Sequence, residues 1–337
     1  NPKYTSRDSQ GNECTCIIEK PVVTRGTRSA INNQLTLIQG CNVTILPDNI
    51  KHIASGAFDE CTRLTSITLP DVLLTMGDNV FRGCTALSGN VAIPNTVESI
   101  GESSFRNCTA LQGVNINVPV ISNYLFKDCS NLSNVTLGND VTEIGNQAFM
   151  NCGSLTAITI PDSVTVAGTG TFNNCDLRSI NTNNIETITT NLLSNNYNLS
   201  NVIMTDATVN IDVAAFIGCT SLANITIPQN VRRLHSGAFL SCTNLQSVVW
   251  DVNNTALNAY SGVFTPNKGT ITTFEFGEHC TIIPNALCQG ILNMTGVTIP
   301  NTITKIGSFA FGASRLRHLN IPDSVTSIAK NAFSGDY

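Results

Sequence analysis

The sequence predicts a β-rich solenoid of about 12–13 rungs, each ~23 residues long, with a parallel sheet on one face. Two observations predict it. An aromatic residue recurs at a nearly fixed interval, and aliphatic residues keep a constant phase around it. A fixed period of this length is typical of solenoids, because one repeat cannot bury its own apolar face without stacked neighbours.

The repeat is marked by thirteen apolar slots, eleven of which are Phe, while Leu193 and Leu287 fill the other two. The eleven are Phe58, Phe81, Phe105, Phe126, Phe149, Phe172, Phe216, Phe239, Phe264, Phe311 and Phe333. An aliphatic residue lies five positions before each of eleven slots, as Ile144 and Ile282 do. Each buried Phe is worth ~1.5–3 kcal/mol, so we expect the slots to form one continuous core column.

The segment Leu-x-x-Ile-x-Ile-Pro, as in Leu155–Pro161, predicts one short strand per rung. Alternating β-branched residues favour a half-buried strand, and proline ends it because it has no amide hydrogen to donate. The preceding Gly-x-x-Ala-Phe-x-x-Cys segment has apolar residues at nearly helical spacing. We therefore expect one helical or 3₁₀ turn on the opposite side of each rung.

The full repeat, Ile-Gly-x-x-Ala-Phe-x-x-Cys-x-x-Leu-x-x-Ile-x-Ile-Pro, resembles the BspA-type leucine-rich repeat. It is clearest in Ile144–Pro161 and Ile306–Val325, and the resemblance covers about residues 37–337. The resemblance implies a curved right-handed leucine-rich-repeat coil in a bacterial protein that is secreted or held at the cell surface, with a lipid anchor as one route. It further implies adhesion to host matrix proteins or cells, with no catalytic residues to carry over.

Residues 1–34 do not fit the repeat, so the predicted organisation is an N-terminal segment or cap at 1–34 and the solenoid at 35–337. Within the cap, Cys14–Ile18 is expected to form a strand, because the end of a solenoid exposes its apolar core. A disulfide that joins Cys14 or Cys16 to Cys41 and stabilises this cap is one alternative for these cysteines. The chain begins with Asn1 rather than Met, and we expect it to be a mature fragment.

Eight of the 13 cysteines lie three residues after the aromatic slot. They are Cys61, Cys84, Cys108, Cys129, Cys152, Cys175, Cys219 and Cys242. This is the spacing of the repeat and not that of a zinc motif, so we expect buried thiols that pack as small apolar groups. Asn196, Asn267 and Gly290 occupy the same position in other rungs, which argues against a required thiol chemistry.

The charge of the chain excludes several classes of function. Charged residues are 12%, about half of the ~25% usual in soluble domains, and the net charge is −5. The longest basic run is Arg232–Arg233, so no nucleic-acid partner is expected. No apolar run approaches the ~20 residues of a membrane helix. The four histidines lie in distant rungs without ligand spacing, so we expect no metal, no cofactor and no enzymatic activity.

The outward strand positions lie eight and ten residues after most aromatic slots and are shifted by one residue in a few rungs, such as the rung that follows Phe264. They carry small neutral side chains, with only Glu275 and His318 ionisable. Candidate binding residues on this face are Asn181, Asn201, Asn224, Ser247 and Glu275. Such a face suits hydrogen bonding to an extracellular protein, which agrees with the adhesion role that the resemblance implies. We also expect the protein to be a monomer. Two alternatives stay open: a module that binds a glycan or cell-wall polymer, and a structural spacer.

Overall fold

The computed structural model describes residues 3–7, 13–19, 35–39, 45–46, 48–253, 255–256 and 260–335. It is a parallel-sheet β-solenoid of about 12 turns of ~23 residues with almost no helix, which confirms the predicted fold class. The chain divides into two compact units, Asn1–Val164 and Thr165–Tyr337, and the same turn is repeated within each.

Unit 1 (Asn1–Val164) contains eleven strands among its described residues. They are β1 Lys3–Arg7, β2 Glu13–Glu19, β3 Leu35–Gln39, β4 Ile50–Ile53, β5 Thr75–Met76, β6 Gly89–Ala92, β7 Ser99–Ile100, β8 Leu111–Ile116, β9 Val120–Ile121, β10 Asn134–Leu137 and β11 Glu143–Ile144.

The first strands of unit 1 differ from the repeat because they pair antiparallel. β2 pairs antiparallel with both β1 and β3, and β3 then pairs parallel with β4, the first strand of the regular stack. The strand predicted at Cys14–Ile18 is confirmed, because it lies within β2. The side chains of Cys14 and Cys16 and the whole of Cys41 lie outside the described residues, so the disulfide and the 1–34 boundary stay predictions.

Unit 2 (Thr165–Tyr337) contains thirteen strands and one 3₁₀ helix among its described residues. The strands are β12 Val166–Ala167, β13 Ser179–Asn181, β14 Thr187–Ile188, β15 Asn201–Ile203, β16 Asn210–Ile211, β17 Asn224–Ile227, β18 Arg233–Leu234, β19 Ser247–Trp250, β20 Thr273–Phe276, β21 Ile282–Ile283, β22 Gly296–Thr298, β23 Lys305–Ile306 and β24 Ser327–Ile328; the helix is Thr265–Asn267.

Most turns contribute to two parallel ladders, where the sequence predicts only one. The strand predicted within Leu155–Pro161 is an exception, because those residues form no strand. The predicted ladder is formed by strands such as β6, β8 and β10 in unit 1. The second ladder consists of two-residue strands that end at the aliphatic position five before the aromatic slot, as in the pairing of Thr187–Ile188 with Asn210–Ile211. Backbone pairing on both sides of the turn satisfies the amide and carbonyl groups that each turn buries.

The aromatic slots form stacked columns in both units, as predicted. In unit 1, successive rings from Phe58 to Phe149 have centroids 4.9, 5.2, 5.5 and 5.3 Å apart and lie nearly parallel. In unit 2, Phe216, Phe239 and Phe264 stack with centroids 5.2 and 6.0 Å apart. All of these rings are buried, so the column is the core of each turn.

The helical or 3₁₀ turn predicted around each aromatic slot is wrong for the described turns except one, in which the 3₁₀ helix Thr265–Asn267 follows Phe264. The residues two before and two after the ring have positive φ, for example Asn79 at 55° and Gly83 at 70° around Phe81. Such left-handed residues stop a helix from propagating. The amide of Phe81 instead donates to the carbonyl of Ser104 in the next turn at 2.7 Å, so these segments are stacked tight turns.

Leu287 does not occupy the aromatic slot, which belongs to Cys288. The Cys288 amide donates to the Ala310 carbonyl at 2.9 Å, as the Phe216 amide does to Ala238. The strand register agrees, because Ile283 and not Ile282 pairs with Ile306. Ile291 therefore takes the position that the sequence assigns to Gly290. Both Leu287 and Cys288 are apolar and buried, so periodicity alone does not separate them.

The cysteine position is a hydrogen-bonding position of the core. Six thiols donate to the carbonyl of the aromatic slot in the preceding turn, at Sγ–O distances between 3.0 and 3.3 Å: Cys84, Cys108, Cys129, Cys152, Cys219 and Cys242. Asn196 and Asn267 make the same bond through Nδ2, to Phe172 at 2.8 Å and Phe239 at 3.1 Å. A buried donor of about this size therefore occupies the position in these eight turns, whereas Ile291 fills it without a donor.

The described cysteines are reduced and almost all buried, as predicted. All ten cysteines with described side chains are thiols and form no disulfide, and nine of them are buried, Cys61 being half-buried. Burial penalises the thiolate and raises the pKa of Cys242 to about 12 and that of Cys84 further. Reactive cysteines need the opposite shift, so these thiols have a packing role.

Replacing Gly101 is expected to disrupt the stacking of turns. A Cβ at Gly101 would lie 2.4 Å from the Asp78 amide nitrogen and 2.4 Å from the Gly77 carbonyl carbon. Because both atoms are backbone, we expect Gly101→Ala to lower the free energy of unfolding by ~1–3 kcal/mol in urea titration. Gly153→Ala is the matched control, since its Cβ would meet nothing within 4 Å. Equal losses in both variants would contradict the close approach.

Candidate binding surface

The candidate binding surface is built on the four-stranded parallel sheet β17–β19–β20–β22 of unit 2. The register aligns residues of one face into rows across the strands. One outer row is Asn224, Ser247, Thr273 and Gly296, and the other is Thr226, Val249, Glu275 and Thr298. Neighbouring members of a row lie about 4.8 Å apart, the spacing of paired strands.

Side chains alternate between the core and the outer face along each strand. Ile225, Val248 and Phe274 form a buried inner row, and Trp250 is also fully buried. Since successive residues of a strand point to opposite faces, the two outer rows face away from the core. Asn224 and Glu275 are exposed and Ser247 is half-buried.

The structure brings together two of the five predicted binding residues. Asn224 and Ser247 are direct neighbours in one row, while Glu275 lies in the other row beside Val249. Asn181 and Asn201 are exposed on the separate pair β13–β15. There Asn201 is opposite Ser179 and Asn181 is opposite Ile203, so the two amides are diagonal neighbours. β15 contacts β17, so both sheets belong to one surface of unit 2.

This surface carries almost no charged side chains. Glu275 is the sole ionisable residue in the six strands β13, β15, β17, β19, β20 and β22. Ile203 is 49% exposed and adds an apolar contact to the amides and hydroxyls. The surface therefore offers hydrogen bonds and one aliphatic contact, and it lacks the clustered acids and bases that proton transfer needs.

His318 and Asn320 are not on a strand, contrary to the predicted outer face of the last rung. Residues 315–321 form no strand, so β22 pairs with β20 alone and is the edge of its sheet. The side-chain positions in this rung therefore do not continue the two outer rows.

A hydrogen-bonded pair, Asp251 and His279, is the main feature that the repeat pattern does not predict. Asp251 Oδ2 lies 2.7 Å from His279 Nδ1, and Asp251 Oδ1 accepts the His279 amide at 3.0 Å. The hydrogen bond to Asp251, followed by its charge, raises the pKa of His279. Gly277 makes room, because a Cβ there would lie 2.1 Å from Asp251 Oδ1.

The same arrangement occurs in unit 1, where Asn117 takes the place of Asp251. Asn117 Oδ1 accepts the Asp140 amide at 2.9 Å, its Nδ2 donates to Asp140 Oδ2 at 2.8 Å, and Gly138 packs against it. Both pairs share a sequence signal. An Asp or Asn directly follows a strand, and one turn later a Gly makes room for its side chain while the residue two positions after that Gly bonds to it.

Asp251→Asn is expected to lower the pKa of His279 towards its ordinary value of ~6.5. Because the pKa of His279 is raised in the folded state, the pair contributes its full stabilisation at pH values below the pKa of the unfolded state. This contribution is lost as the pH rises through the pKa of the folded state. Nuclear magnetic resonance titration of the imidazole measures the shift. Glu278→Gln is the control and should shift the pKa less, since Glu278 acts only through its charge. A larger shift in the control would contradict this assignment.

No group of three or more His, Cys, Asp and Glu side chains within the described residues is arranged to hold a metal ion. None of the helical structure in the same residues is long and apolar enough to span a membrane.

The repeat sequence decides the family. The sequence profile of the BspA type leucine rich repeat region matches in six copies, over residues 37–152, 119–246 and 209–337. The chain belongs to the BspA-type leucine-rich repeat family. The match begins after the segment that the sequence separates from the solenoid. No functionally curated protein matches the chain in sequence.

Solved structures of leucine-rich repeat proteins resemble this BspA-type chain. A leucine-rich repeat protein from Bacteroides ovatus is 20% identical, with a TM-score of 0.53 over 94% of this chain and 90% of its own. A leucine rich cell surface protein from Faecalibacterium prausnitzii is 20% identical, with a TM-score of 0.39 over 100% and 99%. The pneumococcal vaccine antigen PcpA is 15% identical, with a TM-score of 0.41 over 98% and 94%. The similarity to the first of these supports the solenoid fold.

Proposed function

We propose that this chain is a non-enzymatic binding protein, secreted or displayed at a bacterial cell surface, that adheres to host or cell-surface proteins through the outer rows of unit 2. The observation that carries the proposal is the row Asn224–Ser247–Thr273, in which amide and hydroxyl groups repeat at the strand spacing on a rigid parallel ladder.

The physical case rests on the cost of desolvation. Burying an amide or hydroxyl in an interface costs much less than burying an unpaired charge, provided that the partner supplies a hydrogen bond. Protein interfaces of this kind carry about one hydrogen bond per 100–200 Å² and are depleted of charge at their centre. The exposed Ile203 supplies an aliphatic contact beside Asn181.

Binding to immobilised fibronectin, fibrinogen and laminin, measured by surface plasmon resonance, tests the proposal together with a glycan array. We expect a matrix protein to bind, and the variant Asn201→Glu/Asn224→Glu/Ser247→Glu to abolish binding by introducing repulsion and buried unpaired charge. The control Asn131→Glu/Asn139→Glu/Thr243→Glu adds the same charge at exposed positions outside the six strands. Unchanged affinity in the first variant would overturn the assignment to this surface.

Glycan binding is a second candidate because of a shallow amide-lined cavity in unit 1. This cavity of about 310 Å³ is lined by Asn95, Asn115, Asn117 and Thr136, among others. Amides that both donate and accept suit sugar hydroxyls. Glycan-only hits, lost on Asn115→Ala, would favour this function, and no binding to either panel would favour a structural spacer.

A further inference from the structure

The four-stranded sheet β17–β19–β20–β22 of unit 2 ends at β22. Within this sheet each strand entry is hydrogen-bonded to the one before it, with the Thr272 amide donating to Gln246 and the Thr295 amide donating to Thr272, both at 2.8 Å. The following turn supplies residues 315–321, which form no strand. β22 therefore exposes an edge of backbone groups where its sheet would otherwise continue.

A groove of about 710 Å³ lies between these two turns. One wall includes Leu292, Met294 and Thr295, which lead into β22. The opposite wall is the segment Arg315–His318. A second cavity of about 540 Å³ shares Leu292 and Arg315 with the first and extends the groove. This volume is in the range of specific ligand sites.

The groove is basic although the protein is acidic. The chain has a net charge of −5, yet Arg315, Arg317 and His318 lie within four residues on one wall, and the lining residues that the structure describes include no Asp or Glu. Arg317 and His318 are exposed. Arg presents a planar fork that matches carboxylates in two parallel hydrogen bonds, so this wall favours an anionic ligand.

We propose that this groove binds an extended acidic peptide segment of a partner protein, which adds a strand to the open edge of β22. The main chain of the peptide extends this sheet, as in other cases of strand addition to a sheet edge. Its acidic side chains meet Arg317 and His318, and its aliphatic side chains meet Leu292 and Leu316. The site goes beyond the proposed function, since it uses the edge of the sheet and not the outer rows.

Two observations favour a peptide over an acidic glycan. Only a polypeptide main chain presents amide and carbonyl groups at the spacing of the β22 edge. The groove also combines guanidinium groups with the aliphatic side chains of Leu292 and Leu316, and none of its lining residues that the structure describes is aromatic. A segment that alternates acidic and aliphatic residues complements both features.

Fluorescence polarisation with a fluorescein-labelled peptide of five alternating Glu-Val pairs tests the proposal on the whole chain. We expect binding that weakens with added salt, and a loss of about tenfold or more in Arg317→Glu/His318→Glu. The matched control is Arg232→Glu/His235→Glu, which reverses an exposed Arg and His elsewhere in unit 2 and should leave the affinity unchanged. Circular dichroism melting of both variants shows whether they fold as the parent does.

Three further probes give results that would overturn the proposal. Equal binding of a Lys-Val peptide would remove the charge complementarity, and equal binding of an N-methylated Glu-Val peptide would remove the strand addition. Binding of oligogalacturonate in place of the peptide, or no peptide binding at all, would likewise overturn it. The variant Asn201→Glu/Asn224→Glu/Ser247→Glu should bind the peptide normally, so failure of the outer-row proposal is distinguishable from failure of this one.

Discussion

Phe126→Ala is expected to lower the free energy of unfolding of unit 1 by ~3–5 kcal/mol. The Phe126 ring is fully buried and stacks on two neighbours, with centroids 5.5 Å from Phe105 and 5.3 Å from Phe149. Truncation removes both stacking contacts and leaves a cavity in a column where each turn is supported by its neighbours. Urea titration followed by native-state hydrogen exchange of unit 1 measures the loss.

Phe333→Ala is the matched control for the column. Phe333 stacks on Phe311 with centroids 5.5 Å apart, but it is half-buried, so its removal deletes less contact. We expect a distinctly smaller loss than at Phe126. Equal losses at the two positions would show that burial within the column does not determine the contribution of each ring.

Asn196→Ala is expected to lower the free energy of unfolding by ~2–3 kcal/mol, because it leaves buried polar groups without partners. Asn196 is fully buried and donates to the Phe172 carbonyl at 2.8 Å and the Leu193 carbonyl at 2.9 Å. Its Oδ1 accepts the Leu177 amide at 3.1 Å. Alanine supplies none of these three bonds. Urea titration of the variant measures the effect.

Asn196→Cys separates the donor role from side-chain volume. A thiol at this position should restore the bond to the preceding carbonyl, as six cysteines of the repeat do, although it does not replace Oδ1 as an acceptor for Leu177. We therefore expect the cysteine variant to have a lower free energy of unfolding than the parent and a higher one than the alanine variant. If the cysteine variant were no more stable than alanine, donation to the carbonyl would not explain the composition of this position.

The period of the repeat was predictable wherever a Phe marks the turn, and less so where it is missing. At Leu193 the assignment is confirmed, because the Leu193 amide donates to Ala215 as a Phe amide would. At Leu287 it is wrong by one residue, because the adjacent Cys288 is equally buried and only the register of hydrogen bonds distinguishes the two. The helical turn was mispredicted because apolar spacing does not report the positive φ of residues such as Asn79.

The candidate sites also differ in how far the sequence predicts them. The neighbours Asn224 and Ser247 were predictable, since a strand alternates its faces and equal repeat lengths place them in one row. The pair Asp251–His279 was not, because 28 residues separate its members and an irregular segment intervenes. The basic wall at Arg315–His318 was missed because the repeat predicts a strand there.

The sequence by itself determined the repeat, its apolar slots, the family and the neutral character of the outer face. These follow from composition and period, since a turn that cannot bury its own apolar face must stack on similar turns. Only the tertiary structure decided which polar groups meet between turns, that the four-stranded sheet ends at β22, and which side chain fills a slot that lacks Phe. Such features depend on the register of hydrogen bonds between turns, and a single inserted residue shifts that register without changing the apolar pattern.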